Sequence, residues 1–191
     1  VGREAAFPFP ARHTHKMDIR VLRIVPDTIV DGPGLRTSVY CAGCSHRCPG
    51  CHNPQTWDFA AGTPMFPREI FDAILAESPD SDITFTGGDP LYQSEGFTEL
   101  AQLIKTETPE KTIWCYTGFR FEEILADEKM SRLLPWIDVL VDGPFVLALR
   151  DTKNLRFRGS SNQRLVDVPA SLRAGTAIEW ESDYGGVPAV R

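Results

Sequence analysis

Four of the five cysteines, Cys41, Cys44, Cys48 and Cys51, fall within eleven residues. Disulfides among them would close very short, strained loops, so ligation of a metal by thiolates explains the clustering better. Cys44-x3-Cys48-x2-Cys51 sets three thiolates on one tight loop, and Pro49-Gly50 bends the backbone so that it can wrap a compact iron–sulfur cube. Three ligands leave one iron of a [4Fe-4S] cluster open. An open iron can be chelated by the amino and carboxylate groups of S-adenosylmethionine, which brings the sulfonium beside the cluster. Cluster potentials reach about −700 mV at the low end, so electron transfer that breaks a carbon–sulfur bond is within range. Two other readings of these residues stay open. Cys41-x2-Cys44 and Cys48-x2-Cys51 could form a tetrahedral zinc site, although structural zinc knuckles usually lie about a dozen or more residues apart and here three intervene. All four cysteines could instead close a cluster for plain electron transfer, with a spacing only loosely like that of bacterial ferredoxins. Cys41 separates these readings. It ends a strand pattern, where a free cysteine is a common small core residue, and Cys115 within Thr112–Tyr116 reads the same way.

The elements that must position this loop follow from periodicity. Residues 35–41, 82–86, 112–116 and 137–141 are β-branched or aromatic runs that predict strands, and residues 68–78, 97–107 and 121–134 carry helical spacing of apolar residues. Strands alternating with helices predict a parallel sheet with crossover helices. The cysteine loop follows the first strand, Gly87-Gly88-Asp89-Pro90 the second, Thr117-Gly118 the third and Asp142-Gly143-Pro144 the fourth. Strand C-terminal ends share one edge in such sheets, so these four segments are expected to meet at one pocket. Gly87-Gly88-Asp89-Pro90 is a turn by default. Facing a cluster, its glycines would let backbone carbonyls approach a ligand ammonium, while Asp89 adds negative charge and Pro90 stiffens the loop. Asp31-Gly32-Pro33-Gly34 is likewise a turn, with an acidic residue near the expected pocket mouth. Trp57 and Phe59 are expected in the core. Arg156, Arg158 and Arg164 read either as a solvated face or as partners for a nucleotide or an acidic patch. Residues 154–168 predict a turn-rich connection into another strand.

A chain of 191 residues with 42% hydrophobic content can build one ordinary core. The net charge of −6 opposes a phosphate backbone, which argues against nucleic acid as a partner. No apolar run approaches the roughly 18 residues of a bilayer span, and the start of the chain lacks a leader pattern. The expectation is a soluble, cytoplasmic protein without membrane contact. Residues 1–16 are expected to be an appended or disordered arm, in which His13 and His15 are solvated. Residues 17–170 form the expected domain, and residues 171–191 a mobile C-terminal tail.

From about Met17 to Val168 the motifs resemble one family. DGPGLR (31–36), CSHRCPGCHNPQTW (44–57), TGGDPL (86–91), VDGPF (141–145) and RGSSNQR (158–164) are similar to radical S-adenosylmethionine enzymes that activate glycyl radical enzymes. The short length and the last two motifs narrow the resemblance to the branch that serves anaerobic ribonucleotide reductase. The resemblance implies an α/β fold, a minimal, truncated radical SAM partial (β/α) barrel with parallel strands. It implies that Cys44, Cys48 and Cys51 bind a [4Fe-4S] cluster, and that Gly50, Cys51, His52, Gly87, Gly88 and Asp89 contact S-adenosylmethionine, with Asp142 reaching the same ligand. One departure is Gly50, where the wider superfamily often carries an aromatic residue, so adenine packing is not assigned there. The implied reaction is reductive cleavage of S-adenosylmethionine to generate a glycyl radical on the anaerobic reductase, with electrons from a reductant such as flavodoxin or ferredoxin. Residues 31–36 and 156–164 are the candidate contacts with the reductase. The alternatives are a radical enzyme acting on a small molecule, and an electron carrier that uses Cys41 as a fourth ligand.

Overall fold

Residues 18–151 and 153–181 are described by a computed structural model. Its centre is set by four short strands rich in β-branched and aromatic residues with no exposed position: β2 (Arg36–Cys41), β4 (Asp82–Gly87), β5 (Ile113–Tyr116) and β6 (Val139–Asp142). Such strands, covered on both faces, read as near-continuous hydrophobic stretches. They pair in parallel in that order. Antiparallel strands flank them. β1 (Ile19–Thr28) and β3 (Thr63–Met65) lie outside β2, and β7 (Arg164–Asp167) lies outside β6, giving the order β3-β1-β2-β4-β5-β6-β7.

Helices cover one face. α1 (Pro67–Glu77) starts with proline in its first turn, where no N–H is needed, and the Glu69 carboxylate accepts the Phe66 N–H at 2.8 Å. Its buried stripe of Ile70, Phe71 and Ile74 meets Phe97, Leu100, Ala101 and Ile104 of α2 (Ser94–Glu107) over Ile83, Phe85, Ile113 and Cys115 of the sheet. α3 (Phe121–Ala126) is shorter than the expected helix over 121–134. Asp127 Oδ1 accepts the N–H groups of Lys129 and Met130, both at 2.9 Å, which starts a new turn, and Pro135 cannot continue an α-helix. α4 (Val168–Ala174) follows β7, capped by the Asp167 carboxylate at the Ala170 N–H (2.8 Å) and closed by Gly175 at φ 70°.

The opposite face carries a smaller cluster. Trp114, Val139 and Val141 are buried there, and Phe157, Leu165 and Trp180 pack against them. Residues 171–181, within the expected tail, are therefore the end of α4 and a returning segment. Trp180 donates its N–H to Leu165 O at 2.8 Å and meets the Trp114 ring edge-on at 5.0 Å. The expected arm and residues 182–191 lie outside the described residues. Among the described residues no helix is long and apolar enough to cross a membrane.

Arg36 lies on this face, with its guanidinium carbon 5.6 Å from the centre of the Trp114 ring. Its side chain is fully buried. Nε donates to Thr84 Oγ1 at 2.7 Å, and the two terminal nitrogens reach Pro33 O (3.3 Å), Ile83 O and Thr112 O (3.0 Å). The turn at 31–34 is thereby fastened across the start of three strands.

Candidate functional site

The C-terminal ends of β2, β4, β5 and β6 open onto a cavity of about 430 Å³. Cys44, Cys48, Cys51 and His52 come to its wall from the loop after β2, Gly87, Gly88 and Asp89 from the loop after β4. Thr117 and Gly118 follow β5, and Gly143 and Phe145 follow β6. The convergence expected from strand order is thus what the fold produces.

The cysteine loop is closed at its own base. Gly43 N donates to Thr56 O at 2.7 Å and Cys44 N to Trp57 O at 3.3 Å, while Thr56 Oγ1 donates to Asn53 O (2.7 Å) and Gly87 O (3.1 Å). Within the loop, Cys51 N donates to Cys48 O at 3.0 Å around Pro49 and Gly50, and Gly50 has φ 75°, the arrangement of a type II turn. Cys41 and Cys115 are fully buried in the helix-side core, as expected. Burial pushes the Cys44 thiol up to about 11, against the pull of the His46 and Arg47 backbone N–H groups. Cys51 Sγ accepts the Asn53 N–H at 3.4 Å. Backbone N–H groups directed at sulfur are what a thiolate bound to iron requires. Cys44, Cys48 and Cys51 share one cavity wall.

Gly87 and Gly88 serve a purpose the sequence did not reveal. A Cβ on Gly87 would lie 2.6 Å from Cys41 N, and one on Gly88 2.5 Å from Gly43 O. Only glycine lets the two strand exits touch backbone to backbone, where Gly88 N donates to Cys41 O (2.8 Å) and Asp89 N to Gly43 O (2.9 Å). Asp89 borders the cavity but is 1% exposed, and its carboxylate is engaged internally. Oδ1 accepts the Leu91 N–H at 3.0 Å, and Oδ2 meets His46 Nε2, Thr117 Oγ1 and Gly118 N, each at 2.9 Å. Asp89 therefore fastens the cysteine loop and the β5 loop to its own strand. His46 went unremarked in the sequence because only the fold brings it to Asp89. Its ring also packs against Phe119 at 4.6 Å.

The remaining site residues divide similarly. His52 borders the cavity with its ring 5.4 Å from that of Phe145. Gly50 stands behind the wall, where a Cβ would meet Leu147 at 2.8 Å. Asp142 is completely buried beneath the edge. It accepts the Phe121 N–H at 2.8 Å and pairs with Arg164, whose Nε lies 3.0 Å from Oδ1. Arg164 also holds Glu122, lowering that carboxyl below its usual range, so it is no free solvated side chain. Arg158 borders the cavity, and Arg156 is exposed. Asp31 does reach the cavity, with Oδ2 accepting the Ser38 (2.8 Å) and Tyr40 (2.7 Å) hydroxyls. Gln163, also unforeseen, ties RGSSNQR to the β6 exit by accepting the Gly159 N–H at 2.8 Å and donating to Gly143 O at 3.0 Å. Phe59 is 50% exposed rather than in the core, since it lies over Gly43 and against the edge of Tyr92.

Comparison with known proteins agrees with this arrangement. The family described as a 4Fe-4S single cluster domain matches residues 30–166. The anaerobic ribonucleoside-triphosphate reductase-activating protein of Vibrio cholerae is 39% identical over 145 residues, covering 72% of this chain and 91% of the relative. The proteins of that name from Escherichia coli and Enterobacteria phage T4 are each 40% identical, over 72% and 75% of this chain and 92% and 90% of their own lengths. With a cysteine-lined cavity at the strand ends and this similarity over most of its length, the chain belongs to the family of anaerobic ribonucleoside-triphosphate reductase-activating proteins.

Proposed function

We propose that this chain is a radical S-adenosylmethionine activase, in which Cys44, Cys48 and Cys51 ligate a [4Fe-4S] cluster and the fourth iron takes the substrate. One observation carries the reading: three thiols share a cavity wall with Gly87 and Gly88 while Cys41, the only other cysteine near the loop, is withdrawn into the core. When bound, the cluster supplies the electron for reductive cleavage of S-adenosylmethionine, whose 5′-deoxyadenosyl radical takes a hydrogen atom from a glycine of the anaerobic reductase. The protein's own part is to bind, orient and exclude water. Gly87 and Gly88 offer backbone to the amino acid end of the ligand, and His52 with Phe145 offers ring faces. Asp89 and Asp142, both turned inward, act as positioning residues for the loops that carry those groups. No side-chain acid or base is required. The mixed sheet is read as a minimal version of the partial (β/α) barrel, with residues 17–170 as its domain. A cytoplasmic flavodoxin or ferredoxin is the proposed electron source.

The test is electron paramagnetic resonance of the anaerobically reconstituted, reduced protein with and without S-adenosylmethionine. Under this reading the reduced-cluster signal changes on adding the ligand, and Cys41→Ala keeps both the iron and the change. Cys44→Ala, Cys48→Ala and Cys51→Ala each lose the cluster. A signal indifferent to the ligand, or one that vanishes in Cys41→Ala, overturns it in favour of a closed electron-transfer cluster.

A further inference from the structure

Large apolar side chains stand exposed beside the cavity. Residues 145–149 read Phe-Val-Leu-Ala-Leu, an uninterrupted apolar run in which no residue is buried. Leu147 and Leu149 are 50% and 44% exposed. In the turn between β1 and β2, Ile29 and Val30 are 70% and 68% exposed. Both segments border the same opening, since Phe145 and Val30 are wall residues and Leu147 lies over Gly50 of the cysteine loop. Neither segment is loose backbone. Val146 N donates to Ser160 Oγ at 3.1 Å, Ser161 N to Leu149 O at 2.9 Å, and Val30 N to Thr28 Oγ1 at 3.4 Å. Exposed apolar side chains held in place at the mouth of a reaction cavity are the signature of a surface that something covers.

The chemistry says what covers it. Resting on the function proposed above, the hydrogen atom must pass between carbons in van der Waals contact, so a backbone segment of the reductase enters the cavity and its flanks lie on the rim. Contact there also keeps water from the radical. We propose that Ile29–Val30 and Phe145–Leu149 form an apolar collar that docks the glycine-bearing segment of the reductase, flanked by apolar side chains, over the cavity. Residues 144–149 carry no charge, and Asp31 is the single charged residue of 29–34. Binding through this collar is therefore governed by apolar burial and depends only weakly on salt.

Ile29 and Leu149 belong to the collar but do not line the cavity, which makes the double variant Ile29→Ser/Leu149→Ser the clean probe. Affinity for the purified anaerobic reductase is measured anaerobically by titration calorimetry at low and high salt, beside cleavage of S-adenosylmethionine in the absence of the reductase. The double variant is expected to bind at least about tenfold more weakly, the range of truncated interface anchors. Its melting point and partner-free cleavage stay as in the wild type. Leu125→Ser, which alters an apolar side chain 39% exposed on α3, leaves affinity unchanged. Unchanged affinity in the double variant overturns the collar, as does equal weakening by Leu125→Ser or loss of partner-free cleavage. So does a wild-type dimer, seen by sedimentation, that the double variant dissociates without loss of reductase affinity, because a second copy would then be the occupant. Failure of the underlying function shows differently: the wild type itself would not cleave S-adenosylmethionine.

Discussion

Replacing Asp89 with Asn separates two ways in which a buried carboxylate can serve this site. The amide must place its NH2 group at one of the two oxygen positions. At Oδ2 it would face the backbone N–H of Gly118 and the donors His46 and Thr117; at Oδ1 it faces only the Leu91 N–H, so the second orientation is preferred. The Leu91 N–H is then a buried donor without an acceptor, at a cost of about 1–3 kcal/mol. The three contacts at the other oxygen survive but lose the negative charge, and each weakens by roughly 1 kcal/mol. Removing a charge from a site only 1% exposed recovers part of that, so the net expectation is a loss of about 2–4 kcal/mol. Against a total stability of about 5–15 kcal/mol this is easily read from the urea midpoint of the iron-free chain. A carboxylate whose main duty was to touch the ligand ammonium would give the opposite pattern. Stability within about 0.5 kcal/mol of wild type, with affinity for S-adenosylmethionine lost in the reconstituted protein, would refute the positioning role.

Two further outcomes follow from the opposite face of the sheet. Arg36→Met takes the buried side-chain donor from Pro33 O and Ile83 O, while Thr112 O keeps the Ile83 N–H at 3.0 Å. At about 1–3 kcal/mol per unsatisfied group the unfolding free energy from urea titration should fall by roughly 2–6 kcal/mol, and a change below about 1 kcal/mol would show that the turn at 31–34 is held by other means. Burial and the neighbouring Asp31 carboxylate push the Tyr40 phenol from its usual 10.0 up to about 12. The folded state keeps that proton in a window where the unfolded chain releases it, so Tyr40 contributes stability that is present below pH 10 and lost as pH rises toward 12. The stability difference between wild type and Tyr40→Phe should shrink across that window in urea titrations, and a difference independent of pH would contradict the assignment.

Much of the fold was readable because it is written in local patterns. β4 and β5 match β-branched or aromatic runs, and the order in which motifs follow strands was enough to bring them to one edge. β1 was missed because its exposed face carries Arg23, Pro26 and Asp27 and its pairing is interrupted by two irregularities, so no clean alternation marks it. β3 is three residues long, too short for any period to register. The end of α3 depends on where the Asp127 side chain turns, which periodicity does not encode. In the site, the cysteines declared themselves by spacing, whereas the internal partners of the acids did not. Asp89 and Asp142 follow their strands to the expected edge, and what the sequence left out is that His46, Thr117, Gly118 and Arg164 supply donors to them from distant segments. Side-chain direction at a strand exit is decided by such partners, and they are tertiary facts.

The base of the cysteine loop has a consequence for how the protein is made. Its ends meet through hydrogen bonds from Gly43 to Thr56 and from Cys44 to Trp57, residues only thirteen apart in sequence. The chain entropy lost in bringing such near neighbours together grows only with the logarithm of their separation. The loop that carries the three thiols is therefore closed by near neighbours, with Thr56 and His46 fastening it to the end of β4 and the residues after it, and none of the three thiols belongs to the core of the sheet. Chain folding and iron loading become separable events: the polypeptide can reach its native topology first and accept its inorganic part afterwards, and oxidative loss of that part leaves behind a scaffold ready to be refilled.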